Sequence, residues 1–278
     1  DAQSALLKTL EEPPAGATIV LCADDEERLL PTIRSRCVRL RLGPVPRRDV
    51  ETILVERGAA DATAAARYAR IAAGRPGVAL AYAAAPDAAI IRAEIARTLL
   101  DLATASRTRR LTGVRELAGR AAELVRALEV GGRRAAGDVD EAAASGTARG
   151  GRAPAARRTR GAAAAAAPSE PVTSDADPAA DAVAPVAARV PAAERRAAAL
   201  ALLAVWRDVL RDLAATSLKA PRLVRDVELL EDLELAATAT SPARVGAALE
   251  RLDVAGERLE GNVSPELVLD VLALAHGR

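Results

Sequence analysis

The sequence has 278 residues, with 39 Lys and Arg against 38 Asp and Glu, a formal net charge of +1. That length allows two or three modest domains, and the charge balance excludes a global pull toward nucleic acid, so any such contact would need a local patch. Two cysteines and one histidine cannot furnish a four-ligand zinc site.

All but two of the basic residues are arginine, the exceptions being Lys8 and Lys219, and Met and Phe are absent. Such usage fits GC-rich coding more than a special chemistry. Without Met, the chain reads as a fragment lacking an N-terminal part. Its longest apolar run, Ala197 to Trp206, is too short to span a bilayer. No signal peptide is recognisable, so the expected compartment is cytoplasmic. Cys22 and Cys37 read as buried, reduced thiols.

In chain order, Ala5, Leu6, Leu7 and Leu10 recur at helical spacing, and Pro13-Pro14 stops that helix. Thr18 to Ala23 is a short apolar run rich in β-branched residues, as a buried parallel strand would be. Leu29 to Arg36 fits one or two helical turns with Leu30 and Ile33 inward. Val38-Arg-Leu-Arg-Leu42 alternates and reads as a second strand. Gly43-Pro-Val-Pro46 breaks that strand.

Residues 47–85 read as a small helical domain. Val50, Ile53 and Leu54 line its first helix, which Gly58 ends. Ala65, Tyr68, Ala69 and Ala72 line its second, and Val78 to Ala85 forms a third. Beyond Asp87 the stripes Ile91, Ile95, Leu99, Leu102 and Leu111, Val114, Leu117, Ala121, Leu124, Leu128 predict two longer helices.

Between Leu128 and Leu200 there is no Leu, Ile or aromatic residue. Residues 131–195 cannot bury enough apolar surface to offset their ordering entropy, and read as a low-complexity disordered insertion. Arg149 to Arg160 holds five arginines. A DNA-touching arm is the alternative there, without the aromatics of a single-strand binding platform. Helical spacing returns at Leu200, Leu203, Trp206, Leu210 and Leu213, then at Val224, Val227, Leu230 and Leu233. Ser241-Pro242 caps a further helix with Val245, Leu249, Leu252 and Leu259 inward. Ser264-Pro265-Glu266 starts the last, with Val268, Val271 and Leu272 inward.

Three motifs carry a family resemblance. Ser4-Ala-Leu-Leu-Lys-Thr-Leu-Glu-Glu-Pro-Pro14, the strand-like Thr18–Ala23 and Ser35-Arg36-Cys37 follow in one order. Together they resemble the clamp-loader branch of the AAA+ ATPases. The likeness extends to Trp206-Arg207-Asp208 and Gly261-Asn-Val-Ser-Pro-Glu-Leu267 in the later helices. The resemblance implies a mostly α chain. Residues 1–43 would be the C-terminal part of an AAA+ α/β domain and 44–86 a helical lid. Residues 87–130 and 196–278 would form an all-α collar for oligomerisation, interrupted by 131–195.

What the resemblance implies chemically centres on Arg36. It would be an arginine finger acting in trans on the ATP-Mg of a neighbouring subunit, with Ser35 and Cys37 as motif support. A planar, permanently charged fork suits a transferring phosphoryl group. An intradomain salt bridge is the competing reading, and Arg34, Arg39 and Arg41 are controls. Two departures imply that no ATP is bound productively in cis. Ala23 and Asp24 replace a Thr-Thr-like sensor. Gly74-Arg75-Pro76-Gly77-Val78-Ala79 places Gly77 where the hydrolysing members carry a lid arginine. A zinc module would belong to the missing N-terminal part, and no metal is expected here.

Implied partners are γ/τ-type and δ subunits in a hetero-pentamer, the sliding clamp and, through the complex, primed DNA, with no membrane. Trp206, Leu252 and Leu272 are expected at the assembly interface. The chain would then be part of a DNA-directed DNA polymerase holoenzyme without its own ATPase activity. The alternatives are the ATP-hydrolysing subunit itself, or another AAA+ switch such as a helicase loader. Glu11-Glu12 reads as a helix end and not an acidic catalytic pair, and His276 as an exposed terminal residue.

Overall fold

The computed structural model describes residues 2–14, 16–23, 26–147 and 190–275. The chain divides into two compact units, Asp1–Pro44 and Val45–Arg278.

The first unit holds helix α1 (Ala2–Glu11), a 3₁₀ turn (Glu26–Arg28) and the short helix α2 (Pro31–Arg34). Pro31 opens α2 from the first helical position, where its missing N–H costs nothing. Ile33 is the buried side chain of α2. The two predicted strands do not form among the described residues. Residues 18–23 and 38–42 run without regular structure. A strand exists only through ladder hydrogen bonds to a neighbour, and none lies alongside either segment. Val38 is consequently 100% exposed, and Leu40 and Leu42 lie nearly as open. The same lack of cover corrects the cysteine expectation: Cys22 is exposed and Cys37 half-buried.

The second unit is helical throughout its described residues. It begins with α3 (Arg47–Glu56), α4 (Ala62–Ala72) and α5 (Pro76–Ala84). Gly58 takes a positive φ of 64° after α3, a conformation that costs other residues strain. The Asp61 carboxylate accepts the Ala64 N–H at 2.8 Å and so caps α4. Tyr68 of α4 stacks on Tyr82 of α5 with ring centroids 6.2 Å apart.

Then follow α6 (Pro86–Ala103), α7 (Arg107–Thr147) and α8 (Ala192–Ser217). Short 3₁₀ turns at Pro221–Leu223 and Val227–Leu229 lead to α9 (Leu230–Ala239), α10 (Pro242–Glu260) and α11 (Pro265–Ala275). Ser241 caps α10 through the Arg244 N–H, with Pro242 next. The predicted stripes are largely buried, with Ile95, Leu99, Val114, Leu124, Leu203, Leu210 and Leu259 in one continuous core. Leu200, Val227 and Val271 were expected inward but lie at stripe margins and are exposed.

The helix α7 corrects the boundary of the predicted insertion. It continues as backbone helix from Leu128 to Thr147, and α8 starts at Ala192. The Ala, Arg and Glu of 133–147 are strong helix formers even without an apolar stripe. The rest of the predicted insertion, including the arginine run 149–160, lies outside the described residues, as does His276.

The turn of α7 at Gly131 is buried against α5. A Cβ built there would stand 2.3 Å from the Ala81 carbonyl oxygen. The two helices therefore approach at a distance that only glycine permits.

Candidate functional site

Arg36 follows directly from α2. Ser35 ends that helix: its N–H donates to the Pro31 carbonyl, and its Oγ donates to the Thr32 carbonyl at 3.1 Å. The Arg36 N–H donates to Ile33 O at 3.1 Å, so the chain is still turning as the guanidinium leaves it. Nη1 donates to the Thr32 carbonyl at 3.0 Å and Nη2 to Glu11 Oε1 at 2.7 Å. The Arg36 side chain is 37% exposed, and among the described residues its side-chain partners are Thr32 and Glu11. Glu11, read from sequence only as a helix end, turns out to be the residue that orients this fork.

Two of the control arginines also sit on a carboxylate, that of Glu26. Arg41 donates to Glu26 Oε1 at 2.7 Å, and Arg39 approaches the same carboxylate at 3.5 Å. The Arg41 hydrogen bond, opposed by partial desolvation and reinforced by the Arg39 charge, holds the Glu26 carboxyl below its usual range.

Ala23 is exposed and has no side-chain donor; Asp24 lies outside the described residues. Gly77 sits in the first turn of α5 with open space where a Cβ would be. The Arg75 Nε donates back to the Ala72 carbonyl at 3.0 Å. Among the described residues no group of three or more His, Cys, Asp or Glu could hold a metal ion. No helix among them is long and apolar enough to cross a membrane.

Trp206, Leu252 and Leu272 do not form a surface. All three are buried in the chain's own core, Leu252 with 1% exposure. A partner cannot grip side chains that the fold already encloses, so this structure does not place them at a surface.

Sequence reasoning missed a buried ionic network behind the Trp206-Arg207-Asp208 motif. Arg92 of α6 is 3% exposed. Its Nη1 donates to Asp226 at 2.8 Å and its Nη2 to Asp208 at 3.1 Å. Arg225 reaches the other Asp208 oxygen at 2.8 Å. The Asp212 carboxylate accepts the backbone N–H groups of Arg225 and Asp226, each at 3.0 Å. Burial raises the Asp212 carboxyl above its ordinary value, against those two N–H donors. The signal lay in the spacing: Arg92 is four residues after Ala88 and three before Ile95, on the apolar face of α6. A charge there demands a buried partner.

Comparison with known proteins places the first unit in a protein class. Residues 1–46 match the family described as "DNA polymerase III, delta subunit". Together with the relatives below, that match supports a member of the DNA polymerase III clamp-loader family. More particularly, the chain is 45% identical over 80 residues to DNA polymerase III subunit delta' of Escherichia coli (strain K12), covering 29% of this chain and 24% of that protein. It is also 43% identical over 51 residues to DNA polymerase III subunit gamma of Buchnera aphidicola subsp. Schizaphis graminum (strain Sg), covering 18% of this chain and 14% of that protein. The aligned part thus spans about a quarter or less of either relative. No solved structure matches the chain significantly.

Proposed function

We propose that this chain is a δ′-type clamp-loader subunit that presents Arg36 across an interface to ATP-Mg on a neighbouring γ/τ-type subunit. It would work within a hetero-pentamer with γ/τ and δ subunits that opens the sliding clamp and places it on primed DNA. The observation that carries this reading is the state of Arg36: aimed by Glu11 and Thr32, yet more than a third exposed, inside the stretch that matches the family.

Energetics favour the finger over a purely structural ion pair. Exposed pairs such as Arg36–Glu11 contribute between nothing and about 1 kcal/mol. An arginine finger contributes about 10³-fold or more, or about 4 kcal/mol, to phosphoryl transfer. Exchanging Glu11 for a γ-phosphate is therefore an easy trade. Ala23, Gly77 and the tethered Arg75 support a subunit that lends its arginine and does not hydrolyse ATP itself.

The test is a complex reconstituted with γ/τ and δ subunits. Arg36→Ala should leave assembly intact by size exclusion and cut the clamp- and DNA-stimulated ATPase, with clamp loading falling further. Arg36→Lys should rescue poorly, because an ammonium lacks the fork. Arg41→Ala should behave as wild type. Normal turnover at every ATP site in the Arg36→Ala complex would return Arg36 to a structural role.

A further inference from the structure

The helices of residues 45–278 enclose a cavity of about 330 Å³, at the lower end of the range for small-molecule sites. Trp206, Leu210 and Val245 give it an apolar wall, and Arg110, Arg244 and Arg251 supply its charge; no Asp or Glu lines it. Arg110 is the unusual member. It is 6% exposed, and its buried Nε has no hydrogen-bond partner. A buried guanidinium normally has carboxylates to hold it, as Arg92 does within the same core.

Helix ends sharpen the point. Arg110 lies in the first turn of α7 and Arg244 in the first turn of α10, and neither turn contains an acidic residue. The N-terminus of a helix carries a partial positive charge, so arginine there is unfavourable unless an anion is near. The last residues of α6 and α9, Ala103 and Ala239, also border the cavity. Their final carbonyls could attract a cation, yet none accepts from Arg110 Nε. Arg251 is spoken for in part, since its Nη1 donates to the Ala275 carbonyl at 3.0 Å.

We propose that this cavity binds a small amphipathic organic anion. A phosphate or carboxylate head would pair with Arg110 and Arg244, and an aromatic or apolar body would lie against Trp206 and Leu210. Guanidinium forks match both head groups, while the wall provides burial of the body. The site belongs to the second unit and does not depend on the role of Arg36.

Isothermal titration calorimetry of the 278-residue chain tests the proposal with phenyl phosphate, phenylacetate, phenol and inorganic phosphate. At least one aromatic anion should bind saturably, with phenol and inorganic phosphate about tenfold weaker or more. A preference for phenyl phosphate identifies a phosphate ligand, and the reverse a carboxylate. Arg110→Gln and Arg244→Gln should each weaken the preferred anion about tenfold or more, with circular dichroism confirming the fold. Should Arg110→Gln unfold, the exposed Arg244 carries the test alone. No saturable binding at millimolar concentration, or binding undiminished by Arg244→Gln, would overturn the proposal.

Discussion

Arg92 shows how much one residue holds together. Its guanidinium links α6 to Asp208 on α8 and to Asp226 in the segment before α9. Replacing it leaves two buried carboxylates with only Arg225 nearby. Arg92→Met should therefore destabilise the chain by about 3–5 kcal/mol, the usual loss when one partner of a buried pair is removed. Urea denaturation reads this directly, and a loss below about 1 kcal/mol would mean that Asp208 and Asp226 are satisfied without it. Arg36 is the opposite case at the same scale. Its pair is exposed, so Arg36→Ala should change stability by less than about 1 kcal/mol. A catalytic loss without a stability loss is the signature that separates the two arginines.

At the scale of elements, α7 offers a test whose sign changes along one helix. Glycine inside a helix costs about 1 kcal/mol relative to alanine. Gly119 is exposed, with no atom within 4 Å of a built Cβ. Gly119→Ala should thus raise the melting temperature. Gly131→Ala should lower it, because its Cβ would collide with the Ala81 backbone, which has no flexible end to move. Overpacking of this kind costs about 1–3 kcal/mol, more than the propensity gain. Equal shifts for both variants would refute the close packing of α5 on α7. The start of α11 provides a pH test. The Ser264 Oγ–H and the Arg195 guanidinium both donate to Glu266, in the first turn of that helix. Chiefly through the Ser264 bond, these hold the Glu266 carboxyl below its ordinary 4.5. A depressed carboxylate stabilises the fold above its unfolded value, and that contribution is lost as pH falls through the folded value. Glu266→Gln should therefore cost less than about 1 kcal/mol at neutral pH. The difference from wild type should shrink on titration below 4.5; a gap that widened there would contradict the depressed pKa.

For the whole molecule, folding rests on the core of the second unit. Leu252 and Leu272 belong to that core and not to a surface. Placing Asp at both should cost several kcal/mol, comparable with the stability of an ordinary domain. Loss of association should then come with loss of helical circular dichroism. Association lost with helicity intact would instead place these residues at a partner interface.

The sequence by itself determined what repeats or what is local. Apolar residues at helical spacing marked α3 to α11, and the Ser241-Pro242 and Ser264-Pro265 start signals marked the beginnings of two of them. The ordered motifs around Ser35-Arg36-Cys37 pointed to the family that the comparisons support. Only the tertiary structure decided what depends on a distant neighbour. Residues 18–23 and 38–42 have strand composition, but ladder pairing makes a strand, and they find none among the described residues. Glu11 is an unremarkable helix end until the fold sets it 2.7 Å from Arg36. Gly131 looked like the edge of an insertion until α5 was laid against it. Trp206, Leu252 and Leu272 read as interface residues and are buried in the chain's own core, because apolar spacing states that a face is covered and not by what. Burial, close approach and charge pairing are properties of residues brought together from far apart, and no local pattern encodes them.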